Sequence, residues 1–104
     1  MGGPVVAIVR FPVTRRLSAD EQRALFEQTS PRYRSIPGLT RKYFIGAEGV
    51  GGGVYEWASR EDALRFYDAA WRERMRLAYG ADPEIELFEA PCIVDNEAGV
   101  IRMA

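Results

Sequence analysis

Residues 4–11 (PVVAIVRF) impose the strongest constraint on the fold. The run is dominated by β-branched side chains. Strand residues alternate between faces, so Val5, Val9 and Phe11 line one side while Val6 and Ile8 line the other. A strand with two apolar faces needs cover on both. In a chain of 104 residues, one domain by size, any second cover beyond a single helical layer has to come from outside.

The remaining elements follow from caps and breakers. Ser18 and Glu21 form a capping box that opens a first helix, whose inner side carries Leu25, Phe26 and Tyr33 together with the polar Gln22 and Thr29. Ser30-Pro31 breaks or re-caps that helix and leaves residues 32–35 as a separate turn. Ile36-Pro37-Gly38 is a turn, residues 39–46 a second strand, and residues 51–57 a third, joined to the second as a hairpin. Ser59 with Asp62 caps a second helix, read as one element ended by Gly80 and Asp82-Pro83. Residues 84–89 make a fourth strand, which residues 92–95 extend after a bulge; the tail, residues 97–104, lies on a partner or frays. The expected architecture is α+β: a ferredoxin-like βαββαβ sandwich, with an antiparallel four-stranded sheet carrying two helices on one face, and residues 1–104 forming a single domain. The uncovered apolar sheet face then calls for a homodimer.

Composition excludes several function classes. The 14 basic and 15 acidic residues are spread along the chain, giving a net charge of −1 and no basic field to attract nucleic acid or an anionic membrane. The longest apolar run, residues 4–9, is far short of the ~20 residues of a membrane span, and no signal-peptide pattern precedes it, so a cytoplasmic location is expected. The lone Cys92 cannot form an internal disulfide and is read as a small buried side chain. With no histidine there is no imidazole base, no Ser-His or Cys-His pair and no histidine ligand for haem, zinc or iron, so a metal or haem site is not expected.

The chemistry-bearing residues gather between Gly51 and Gly80. Tyr55 and Trp57 are two apart and share a strand face, where they meet Tyr67 and Trp71 of the second helix if that face is the helical one. Such a stripe is either core or the lining of an aromatic slot, and so many phenol and indole tips are hard to satisfy in a dry core. On a single continuous wheel Arg74 falls inside the apolar arc with Leu64, Phe66, Met75 and Leu77; it either faces a ligand, reaches water, or pairs with a strand carboxylate such as Glu89. In the second strand Arg41 shares a face with Leu39, Tyr43 and Ile45, and Lys42 with Thr40 and Phe44; one of the two cations points inward or leans out at an edge. Glycines 51–53 lack the lysine and following helix of a phosphate loop and instead suit a bulge or a close chain approach.

The segments Pro37-Gly-Leu-Thr-Arg-Lys-Tyr43, Gly51-Gly-Gly-Val-Tyr-Glu-Trp-Ala-Ser59, Tyr79-Gly80 with Pro83, Phe88-Glu-Ala-Pro91 and Val94-Asp-Asn96 resemble the YdhR-type monooxygenases of the dimeric α/β-barrel superfamily, which includes the antibiotic-biosynthesis monooxygenases. The resemblance implies a protomer whose bare sheet face packs on a partner's, with a ligand cavity between sheet and helices. It puts Trp57 at the site-lining position of the haem-degrading relatives. Tyr67 stands where those relatives carry their haem-ligating histidine, so haem degradation is not implied. The quinone-forming relatives imply instead oxidation of a phenolic or polycyclic aromatic small molecule by O₂ without cofactor, with Arg74, Trp57 and Tyr67 as the catalytic candidates and Tyr55, Trp71, Tyr43, Gln22 and Phe26 as substrate-binding ones. An isomerase or cyclase on the same scaffold, and a non-catalytic dimeric binding or stress-response module, are the alternatives.

Overall fold

The computed structural model describes residues 2–104. Strand β1 (Val5–Pro12) lies inside an antiparallel sheet, between β3 (Val50–Trp57) and β4 (Glu84–Glu89), with β2 (Leu39–Ala47) outside β3. Register pairs Val5 with Trp57 and Glu89, Ala7 with Tyr55 and Leu87, and Val9 with Gly53 and Ile85. Directly opposed residues share a face, so all but Glu89 and Gly53 contribute apolar side chains to one surface. The helices α1 (Ala19–Thr29), α2 (Arg60–Phe66) and α3 (Ala69–Tyr79) belong to that side: Val5, Ala7, Val9, Tyr55 and Trp57 are buried in one cluster with Ala63, Tyr67 and Trp71. This is the ferredoxin-like α+β arrangement expected from the element order. A buried ring that removes about 200 Å² from water gains roughly 5 kcal/mol of gross transfer energy, which makes Trp57, fully buried, a principal anchor.

The opposite sheet face carries Val6, Ile8 and Val54, half-buried, with Tyr43, Ile45 and Phe88 exposed at its margins. Arg10 and Glu86 form an ion pair on this side. These side chains lie outside the core cluster that unites the other sheet face with the helices of the described residues. None is long and apolar enough to cross a membrane.

Local signals explain most boundaries. Ser18 Oγ accepts the Glu21 amide at 3.1 Å while the Ser18 amide donates to the Glu21 carboxylate at 2.9 Å, completing the capping box. Pro31 stands in the first turn of a 3-10 segment, Ser30–Ser35, that follows α1 directly. Gly80 closes α3 at φ 75°, in the left-handed region open to glycine.

Three expectations are corrected. The second helix is not continuous: Tyr67 leaves helical geometry (φ −84°, ψ 53°), and Asp68 caps a new helix by accepting the Trp71 amide at 2.8 Å. The break resets the helical phase, so Leu64 and Leu77, assigned inward by a single wheel, are 52% and 72% exposed. Residues 92–95 do not extend β4. They form β5 (Cys92–Asp95), which pairs with β6 (Val100–Met103) in a separate hairpin. The Asp95 carboxylate organises its turn, accepting the Glu97 and Ala98 amides and pairing with Arg102, so the tail has structure of its own. Cys92, read as buried, is exposed on this hairpin.

Candidate functional site

Four of the residues singled out in the sequence meet between the sheet and helices. Tyr55 and Trp57 project from the end of β3, Tyr67 from the C-terminus of α2 and Trp71 from the first turn of α3. The Trp57 and Tyr67 rings meet edge to face at 5.7 Å, Tyr67 and Trp71 at 4.9 Å, and Tyr55 and Tyr67 at 5.4 Å. Edge-to-face contacts set the positive ring edge against the negative face of its neighbour, so the cluster is electrostatically matched as well as packed. The indole Nε1–H of Trp57 donates to the Tyr67 hydroxyl at 3.2 Å. Among the described residues no buried side-chain nitrogen or oxygen lacks a partner. The polar tips of Trp57 and Tyr67 are thus partners of each other.

This geometry changes the expected slot. Trp57, Tyr67, Tyr55 and Trp71 are 0%, 4%, 3% and 3% exposed, so they fill the space between sheet and helices rather than bordering a solvent-filled opening there. Burial raises the Tyr67 hydroxyl above the ordinary phenol pKa, with the Trp57 hydrogen bond acting in the opposite sense. It raises Tyr55 as well, with Tyr33 adding to the effect. Neither phenol is available as a base at neutral pH.

The aromatic layer continues toward the sheet edge, where it opens. Tyr33 of the 3-10 segment lies 6.4 Å from Tyr55 and 5.6 Å from Phe44 of β2, and Phe26 of α1 packs on Phe44 at 4.7 Å. Lys42 enters this layer. Its Nζ is 3.5 Å from the Tyr33 ring centroid, 3.8 Å from Phe44 and 4.6 Å from Tyr55. Burial pushes the Lys42 amine down to about 7, and Arg32 acts in the same direction; the three ring faces oppose this by attracting the ammonium. Beside it lies an open groove of about 240 Å³, bordered by Tyr33, Arg34, Thr40, Arg41, Lys42 and Phe44.

Two backbone features admit the lysine. A bulge between Leu39 and Arg41 shifts the register, so that Leu39 opposes Trp57 and Lys42 opposes Tyr55. Leu39 therefore joins Lys42 and Phe44 on the helical face instead of sharing a face with Arg41, Tyr43 and Ile45. Gly53, opposite Phe44, keeps the floor clear: a Cβ there would lie 2.9 Å from the Tyr55 ring and 3.1 Å from Lys42 Cε. A Cβ on Gly52 would collide with the Val9 carbonyl oxygen, which is the close chain approach expected of this glycine run.

Three candidate residues stand apart from this layer. Arg74 is exposed, because the break at Asp68 leaves Trp71 and Met75 as the inward residues of α3. Tyr43 is 54% exposed on the other sheet face, where Arg41 donates to its hydroxyl at 3.5 Å. Gln22 is exposed, and α1 brings only Phe26 and Thr29 even partly inside. Conversely, Lys42, Tyr33 and Phe44 were not among the expected site residues. The usable signal was the shared strand face of Lys42 and Phe44, which the sequence placed correctly without choosing between Lys42 and Arg41.

No protein-family model matches the sequence, and no curated protein is significantly similar to it. Solved structures do resemble it. A monooxygenase, ActVA-Orf6 of Streptomyces coelicolor, solved with nanaomycin D, superposes with a TM-score of 0.63 at 16% identity, covering 89% of this chain and 92% of its own. A protein of unknown function from Nitrosomonas europaea gives a TM-score of 0.63 at 15% identity, over 89% and 94% of the two chains. SnoaB from Streptomyces nogalater, a cofactor-independent oxygenase, gives 0.57 at 17% identity, over 86% and 94%. The chain shares the ferredoxin-like fold of these structures.

Proposed function

We propose that the protein is a cofactor-independent monooxygenase that uses O₂ to oxidise a phenolic or polycyclic aromatic small molecule, working as a homodimer closed through the bare sheet face. One observation carries the reading: on a fold that two oxygenases share, a continuous aromatic layer runs from the buried Trp57–Tyr67 pair to an open groove with a cation, Lys42, at its mouth. Planar aromatic walls suit a planar substrate, and a groove of about 240 Å³ takes on the order of two or three fused rings, below the ~300–1,000 Å³ of sites that enclose drug-sized ligands.

The chemistry needs little from the protein. An ionised phenol or anthrone is electron-rich enough to react with O₂; a ring CH₂ becomes C=O, one oxygen atom stays in the product and the other leaves as water. The protein's part is to hold the ionised substrate against an aromatic wall beside a positive charge. Lys42 supplies that charge in place of the exposed Arg74, while Trp57 and Tyr67 hold the inner wall. Tyr55, Trp71 and Phe26 back the ring surface. The test is oxygen uptake with a model anthrone, against a protein-free control for autoxidation. Catalysed uptake supports the proposal, and uptake no faster than the control opposes it.

The near-complete burial of the four inner aromatics favours one other reading, a binding module without turnover. It predicts ligand-induced thermal stabilisation with no oxygen consumed.

A further inference from the structure

We infer that Lys42 is the proton acceptor of the groove: its amine takes the hydroxyl proton of a phenolic ligand seated at the open side of the Tyr33, Phe44 and Tyr55 cage, and the ammonium so formed holds the phenolate. The O–H bond of the ligand breaks, an N–H bond forms, and no electrons are gained or lost. The choice of a phenol rests on the function proposed above. The assignment of the amine rests on geometry.

Among the described residues Lys42 has no carboxylate partner and makes no side-chain hydrogen bond, although its Nζ sits within 5 Å of three rings. Structural lysines in proteins are paired or solvated; this one is neither fully buried nor paired, and it borders a groove large enough for a ligand ring. Its charged neighbours at the groove are cations, of which Arg32 disfavours the ammonium. The 3-10 segment contributes Arg32, Arg34 and Tyr33, β2 contributes Arg41, and β3 contributes Tyr55, whose hydroxyl burial keeps protonated. No acid borders the groove, so the ligand is the missing anion. Burial already lowers the amine to about 7, which leaves part of it neutral in the free protein near neutral pH and able to accept a proton. Arriving negative charge then raises it again. Arginine could hold a phenolate equally well but could not take its proton, since a guanidinium stays charged.

That difference gives the test. 4-Nitrophenolate is titrated into the protein by calorimetry, above the pKa of both ligand and Lys42, in two buffers of different ionisation heat. The wild-type protein should take up close to one proton per phenolate bound. Lys42→Arg should bind with no uptake, and Lys42→Met should bind at least about ten-fold more weakly, also with none. Wild-type binding without proton uptake, no binding at all, or uptake preserved in Lys42→Met would overturn the assignment. Turnover provides the second arm: loss of a general base costs ~10²–10⁴-fold, so Lys42→Arg should lose oxidation of a neutral phenol despite keeping the charge, and retained turnover contradicts the inference. Proton-coupled binding with no oxygen uptake by the wild-type protein would leave Lys42 as proton acceptor and remove the monooxygenase reading.

Discussion

Trp57 and Tyr67 are joined by a buried hydrogen bond, indole N–H to phenol oxygen at 3.2 Å, which ties the last residue of β3 to the residue where α2 ends. The bond gives each polar tip a partner inside an otherwise aromatic cluster. Removing one partner strands the other, and an unsatisfied buried donor costs about 1–3 kcal/mol. Tyr67→Phe should therefore destabilise the fold by that amount in urea denaturation. Trp57→Phe should cost more, because it also vacates volume. The double variant should cost less than the sum, and strict additivity would show that the hydrogen bond contributes nothing.

Gly53 is the floor under Lys42. Alanine there gains the usual preference over glycine in a strand, about 0.5–1 kcal/mol, but its Cβ meets the Tyr55 ring at 2.9 Å and the Tyr43 carbonyl oxygen at 3.2 Å. Tyr55 is buried and the carbonyl is backbone, so neither gives way easily. Overpacking of this kind costs about 1–3 kcal/mol. A net loss in the urea midpoint of Gly53→Ala is expected, with displaced Tyr55 and Lys42 resonances; a stabilised protein would show that the floor is not tight.

These two sites also mark where the sequence was legible. The Ser18 and Ser59 caps, the Pro31 break and the Gly80 stop are local, since residues within about one turn decide each one, and the structure has them all. Asp68 is an equally local cap, but its third residue is Trp71 rather than a reciprocal Glu, and the apolar periodicity on both sides hid the break. Arg74 was misplaced for that reason alone. The Lys42 cage was not legible because it joins three elements: the bulge after Leu39 turns on β2–β3 register, and Tyr33 arrives from a separate 3-10 segment. Trp57 and Tyr67 were brought together correctly because strand alternation and the first turns of α2 precede the break.

The amine of Lys42 should make stability depend on pH with a definite sign. Its folded pKa lies near 7, below the unfolded value of 10.5. Below about 7 the lysine is charged in both states and the cost of burying the ammonium is fully present. Between about 7 and 10.5 the unfolded state binds the extra proton, so stability relative to Lys42→Met rises with pH and levels off above that window. Urea midpoints of the two proteins across the range check this. A difference that is flat with pH would mean the amine titrates normally.

The bare sheet face should be an interface. Val54 lies on it opposite Ile8 of β1 and Tyr43 of β2, and a charge placed among these residues would be buried unpaired in a face-to-face dimer. Light scattering should give twice the 11.7 kDa chain mass for the wild-type protein. Val54→Asp should give the single-chain mass with an unchanged far-ultraviolet circular dichroism spectrum. A wild-type protein of single-chain mass would remove the dimer from the proposed function.

The origin of the oxygen in the product tests the proposed reaction most directly. The metal-free protein is incubated with a model anthrone under ¹⁸O₂, and the quinone is analysed by mass spectrometry against a protein-free control. The account predicts quinone formed faster than the control, carrying one ¹⁸O atom per molecule at the new carbonyl, and formation falling to the control rate in Lys42→Met. Product formed no faster than in the control, or new carbonyl oxygen drawn from water, would contradict it.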